Sequence, residues 1–139
     1  MIIADTSGLL ALFNRREPRH ADVVQAIGTH PGPLVVSPYV VAELDYLAAT
    51  RLGVTAGLAI LRELGSGAYE HPGLANEDLL ACADLIEKYR DQEIGATDAS
   101  LVVLARRYRT KTVLTLDRRH FGVIRPLDGG RFKLLPGGS

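Results

Sequence analysis

Four carboxylates stand where solvated surface charges are not expected. Asp5 closes the apolar run Met1-Ile2-Ile3-Ala4, and Glu43 is embedded in Val40-Val41-Ala42-Glu43-Leu44. Asp98 opens the apolar stretch from Ala99 to Ala105, and Asp117 follows Thr112-Val113-Leu114-Thr115-Leu116. An ionised carboxylate buried without a partner is costly, and carboxylates gathered together repel. Their joint ionisation calls for a counter-charge. Magnesium or manganese suits such a set, because hard cations take oxygen ligands and keep several waters. The chemistry this suggests is metal-dependent attack on a phosphate.

Each acid also has a structural reading. Asp5 could cap the helix after it, although Thr6 and Ser7 serve that purpose equally well. Asp117 could cap a turn through Arg118-Arg119-His120-Phe121. Asp98 in a first helical turn suits the positive end of the macrodipole. It also precedes Leu101 and Val102 by three and four residues, which places it on the apolar side. Glu43 shares a helix face with Val40 and Leu47 at the same spacings, so it should face inward, where its structural reading is a salt bridge, for instance to an arginine.

The elements that must position these acids alternate between strand and helix. Short apolar runs at Met1–Ala4, Leu34–Val36 and Thr112–Leu116 read as buried strands, with further ones expected at 68–70 and 131–135. Ser37-Pro38 is an N-cap followed by proline at the first helical position, and Gly53 ends that helix. Helices are also expected after Asp5, after Pro18, over 55–64, after Asn76 and from Gly95 to about Tyr108. The pattern predicts an α/β sandwich around a mostly parallel sheet, as one domain over residues 1–135 with a frayed tail at 136–139. In open parallel sheets, ligands bind beyond the carboxyl ends of the strands, where Asp5 and Asp117 both fall.

Composition narrows the classes. The 139 residues are 47% hydrophobic and 23% charged, which suits a globular chain with a real core. No apolar run approaches the ~20 residues of a membrane span, and the short apolar start lacks a basic n-region, so no secretory signal is expected. Cys82 is the single cysteine, which excludes an internal disulfide and a Cys-based zinc site. A cytoplasmic location is expected. His20, His30, His71 and His120 show no paired metal spacing and read as surface residues. No glycine-rich phosphate loop occurs. Net charge is zero, but unevenly spread. Residues 70–98 carry eight acids against Lys88 and Arg90, whereas 99–139 carry nine bases against Asp117 and Asp128. The basic third suggests a polyanionic partner, or else solvated helix and loop charge.

Four segments carry a family resemblance. Ile2 to Leu10, Ser37 to Leu44, Thr97 to Leu101 and Leu114 to Phe121 resemble, in order and spacing, the motifs of PIN-domain ribonucleases, most of all the VapC toxins of type II toxin–antitoxin pairs. The resemblance spans essentially the whole chain. It implies a PIN-like three-layer sandwich. It implies Asp5 and Asp98 as principal magnesium ligands, with manganese able to substitute. Asp117 would be a further ligand, direct or through water, and Glu43 would bind metal or orient its water. Ser7 would sit behind Asp5 or cap its helix. Arg118 and Arg119 would contact RNA phosphate or be solvated turn charge. The implied activity is an endoribonuclease cutting structured RNA, transfer or ribosomal, and so inhibiting translation. Implied partners are a second copy of the chain in a homodimer and a cognate VapB-type antitoxin. Arg15, Arg16, Arg19, Arg106, Arg107, Arg109 and Lys111 are candidate RNA-backbone contacts. Two rivals stand beside this reading. One is a non-catalytic module whose acids hold a partner's cationic segment. The other is a phosphatase or phosphotransfer domain with Asp5 as nucleophile.

Overall fold

A computed structural model describes residues 1–137. The expected tail residues 138 and 139 lie outside the described residues. The chain runs β1 (Ile2–Ala4), α1 (Thr6–Phe13), α2 (His20–Gly28), β2 (Leu34–Val36), α3 (Pro38–Leu52), α4 (Val54–Leu64), α5 (Asn76–Lys88), α6 (Ala96–Arg107), β3 (Thr112–Leu114), α7 (Arg118–Val123) and β4 (Lys133–Leu135). The four strands form one sheet in the order β2-β1-β3-β4. Every pairing is parallel, with Ile3 opposite both Val35 and Val113, and Val113 opposite Leu134. The α/β architecture matches expectation, with a sheet that is wholly rather than mostly parallel. Parallel strands are covered on both faces, which is why β1 and β2 are apolar and buried at every position.

The expected strand at 68–70 shrinks to one bridge. Glu70 pairs with β2 through its own N–H to Leu34 and its carbonyl to the Val36 N–H. Gly65 to Gly67 before it and Pro72-Gly73 after it leave no run able to continue a ladder. At the other end, Pro136 is buried rather than frayed, and its carbonyl accepts from Arg118 Nη2 at 2.6 Å.

Three local features aim the chain at the strands' carboxyl ends. Gly8 lets α1 lie directly on β3: a Cβ there would sit 2.6 Å from the Leu114 carbonyl oxygen. Ser37 caps α3 as expected, accepting the Tyr39 N–H at 3.2 Å. Helix α6 is buried at every residue from Ala99 to Ala105, so it runs through the core and presents only its first turn to the site.

Candidate metal centre

Asp5 follows β1 directly and is 6% exposed. It occupies the N-cap position of α1, but its side chain makes no capping hydrogen bond. Oδ2 instead accepts from Thr115 Oγ1 at 2.7 Å and from Ser7 Oγ at 3.2 Å. Both hydroxyls are themselves oriented. Thr115 Oγ1 accepts the Asp117 N–H at 2.9 Å, and Ser7 Oγ accepts the Leu116 N–H at 2.9 Å. The end of β3 thus grips one oxygen of Asp5. Ser7 lies beneath Asp5 rather than capping α1.

Asp98 enters from the first turn of α6, its side chain 18% exposed. Asp117 caps α7, accepting the Arg119 N–H on Oδ1 at 3.2 Å, and its Oδ2 turns toward Asp98's neighbour His120 at 3.7 Å. The capping reading of Asp117 is therefore real, and it leaves the second oxygen for the site. Glu43 corrects the expectation of inward facing. The buried stripe of α3 is Val40, Leu44 and Ala48, spaced by four. Glu43 lies one residue off that stripe, so it is exposed, at the cleft's border. Among the described residues no arginine or lysine pairs with it, and the Thr97 hydroxyl donates to Oε2 at 3.4 Å.

Together Asp5, Glu43, Asp98 and Asp117 line one cleft of about 510 Å³ at the carboxyl ends of β1 and β3. Burial, followed by the charges of Asp5, Asp117 and Glu43, pushes the Asp98 carboxyl up to about 6, against a lowering pull from His120. Burial also raises Asp5, with the Thr115 hydroxyl, the Thr6 backbone N–H and the Ser7 hydroxyl opposing it in that order and the Glu43 charge adding to it. Carboxyl groups raised by burial and by one another in a cleft mark a candidate functional site.

Two buried polar atoms lining this cleft, Thr6 Oγ1 and His120 Nδ1, have no hydrogen-bond partner among the described residues. Native interiors rarely leave such atoms unpaired unless a water, ion or ligand completes them. The oxygen-rich donor set fits a hard divalent cation. Among the described residues no three acid, histidine or cysteine side chains already converge on one point. A bound ion would therefore require carboxylate rotation, bridging water, or both.

The histidine spacing predicts a surface position for His120, but the structure turns it inward, its side chain 24% exposed and Nδ1 3.1 Å from Asp98 Oδ2. It lies three residues after Asp117, a spacing that shares a helix face and is visible in the sequence. Thr115 is the other residue that sequence reasoning missed. It is two positions from Asp117, on the same side of an extended chain.

The basic candidates divide. Arg15 and Arg16 are exposed in the turn after α1, and Arg119 is exposed beside Asp117. Arg118 is tied to Pro136. Arg106 and Arg107 lie in the last turn of α6, eight and nine residues after Asp98 and so about 12–14 Å along the helix from it. They pair with Asp128 at 3.6 Å and Asp78 at 2.6 Å, and with Arg109 and Lys111 they line a separate cavity of about 720 Å³. The arginine that does line the acidic cleft is Arg51.

Known proteins share this arrangement of chain. The PIN domain family model matches residues 2–125. Ribonuclease VapC26 of Mycobacterium tuberculosis is 56% identical over 135 residues, covering 97% of this chain and 100% of that protein. Among solved structures, Mycobacterium tuberculosis VapC20, a sarcin-ricin loop cleaving toxin, aligns with a TM-score of 0.78 at 20% identity, over 84% of this chain and 90% of the other. The DNA-bound VapBC complex of Salmonella typhimurium aligns with a TM-score of 0.67 at 19% identity, over 96% and 98%.

Proposed function

The chain belongs to the PIN-domain family, on its VapC branch, and from that premise we propose that it is a magnesium-dependent endoribonuclease, with manganese able to substitute. The observation that carries the proposal is that Asp5, Glu43, Asp98 and Asp117 all line one cleft, with Asp98 raised first by burial and then by its acidic neighbours. The name of the 56% identical relative, a ribonuclease, supports RNA as substrate.

The residues divide the labour. Asp5 and Asp98 would hold the cation, with Thr115 and Ser7 fixing the Asp5 carboxylate through Oδ2. Asp117 adds a ligand, direct or through water. Glu43, the most exposed of the four, accepts a hydrogen bond from the attacking water and orients it. A bound divalent ion would supply Lewis acidity toward the attacking water and the phosphoryl group. Cleavage leaves 3′-hydroxyl and 5′-phosphate ends. Arg15, Arg16 and Arg119 steer the phosphate backbone toward the cleft. Arg106 and Arg107 reach only a substrate long enough to pass the far end of α6. A neutral chain has little surplus positive charge, so recognition rests on the shape of a folded transfer or ribosomal RNA.

A cognate antitoxin would fit the same cleft through a cationic segment that pairs with its acids. VapBC complexes share this fold. A homodimer in the cytoplasm, inhibiting translation when released from the antitoxin, completes the reading. No helix among the described residues is long and apolar enough to cross a membrane. Asp5 as a phosphotransfer nucleophile fits less well, being 6% exposed with one oxygen doubly bonded to hydroxyls.

The test uses purified chain, free of partner, with total RNA. Cleavage should require magnesium, stop in EDTA and vanish in Asp5→Asn. Cleavage that survives EDTA, or an Asp5→Asn variant as active as the parent, overturns the mechanism.

A further inference from the structure

His120 lies in α7 three residues past Asp117, and its ring turns back into the cleft. Nδ1 stands 3.1 Å from Asp98 Oδ2 and 3.7 Å from Asp117 Oδ2. The nitrogen is buried, yet among the described residues it closes no hydrogen bond, although Asp98 Oδ2 lies 3.1 Å away. An unpaired buried N–H costs roughly 1–3 kcal/mol. A bare nitrogen lone pair facing two carboxylates would repel both, so the tautomer with its proton on Nδ1 is the one that suits this position.

The acids it faces are not yet gathered: no three ligand side chains among the described residues converge. Asp5 shows how a carboxylate is prepared here. Its Oδ2 is held by two oriented hydroxyls, which fixes the carboxylate's orientation. An Nδ1–H bond from His120 to Oδ2, 3.1 Å away, would fix the Asp98 carboxylate in the same way.

We infer that His120 is a positioning residue whose Nδ1–H binds Asp98 Oδ2 when the carboxylates close on a divalent cation. The inference rests on the metal-dependent reading above. It gives the orphan nitrogen a partner in the loaded state. It also explains why a polar ring is placed between two acids when an apolar side chain would fill the space between α6 and α7. Groups that hydrogen-bond metal-ligating carboxylates are typically worth 10–100-fold in metal affinity.

The experiment titrates metal-free protein with Mn²⁺ in the absence of RNA, reading the free ion by electron paramagnetic resonance. It compares the parent chain with His120→Asn, which keeps an N–H donor, His120→Leu, which keeps the bulk, and Asp5→Asn. Thermal melts in EDTA check the fold. If His120→Leu does not fold, His120→Ala replaces it. His120→Leu should weaken Mn²⁺ binding about 10–100-fold, and His120→Asn should recover most of that loss. Equal affinity in all His120 variants, or equal loss in both, overturns the inference and leaves the metal site standing. Absence of Mn²⁺ binding to the parent overturns the inference together with the metal-dependent reading.

Discussion

Asp98 carries the sharpest consequence of the acidic cluster. Its pKa in the folded chain is about 6, above its ordinary 3.8, chiefly through burial and then the charge of Asp5. The folded state thus binds the Asp98 proton more tightly than the unfolded state does. Stability from this group is full below about pH 4 and is lost as pH rises through about 6. Partial exposure and sharing among the acids discount the shift, leaving a penalty on the order of 1 kcal/mol at neutral pH. Asp98→Asn should therefore melt a few degrees higher than the parent in EDTA at about pH 7.5, and the gap should narrow at about pH 4.5. Calorimetry at the two pH values checks it; an Asn variant less stable at the higher pH contradicts the repulsion. Cleavage by Asp98→Asn should be abolished even as the protein melts higher. Thr115 makes a second case at this scale. Thr115→Val removes the 2.7 Å bond to Asp5 and the acceptor of the Asp117 N–H while keeping shape. The cleavage rate at limiting magnesium should fall roughly tenfold or more, with partial recovery at high magnesium. A rate unchanged at limiting magnesium would show that Asp5 does not need its hydroxyl grip.

Elements bring these residues together, and α1 is the tightest fit. A Cβ at Gly8 meets the Leu114 carbonyl oxygen at 2.6 Å, a backbone atom that cannot rotate away. Gly8→Ala should cost about 2–3 kcal/mol by overpacking and, by lifting α1 from β3, should also loosen Ser7 from Leu116. Gly28→Ala is the matched control. It lies at the end of α2 with nothing within 4 Å of the added Cβ, and should gain roughly 0.4–1 kcal/mol. Urea denaturation of both variants reads the contrast; equal effects would contradict the packing. The same element shows what a linear sequence conveys. Capping at Ser37, the breaks at Gly53 and Gly65, and the apolar runs of β1 to β3 are local signals, and they mark out the elements. Asp5 and Asp98 are legible because an acid beside an apolar run conflicts with its surroundings. The grip of Thr115 on Asp5 spans 110 positions, and threonine at a strand end is ordinary, so nothing local marks it. Glu43 misleads because spacings of three and four from Val40 and Leu47 define a wide face. Only the neighbours of α3 decide that its buried line runs through Leu44.

At the scale of the whole molecule, the fold sorts charge that the sequence only counts. The basic C-terminal third is not one surface. Arg118 reaches back to Pro136, Arg119 stands exposed beside the cleft, and Arg106, Arg107, Arg109 and Lys111 gather around a cavity at the other end of α6. Two of those four are already answered by Asp128 and Asp78. A short RNA hairpin seated on the acidic cleft should therefore feel Arg15, Arg16 and Arg119 and not the far cluster. Each phosphate that a side chain neutralises contributes about 0.7–0.9 to the slope of log affinity against log salt. Removing Arg15, Arg16 and Arg119 together should flatten that slope by roughly 2. Removing Arg106 and Arg107 together should leave it unchanged for the hairpin, and flatten it only for a substrate long enough to wrap α6. Binding is best measured with the inactive Asp98→Asn variant, by fluorescence anisotropy across a salt series. Asp98→Asn also relieves the cleft of one negative charge, so its affinity sits above the parent's at every salt, and only slopes are compared within that background. Equal slopes for the triple and the double variant would mean that both ends of α6 face the same stretch of RNA. The neutral total hides this difference because opposite charges are separated in space, not absent.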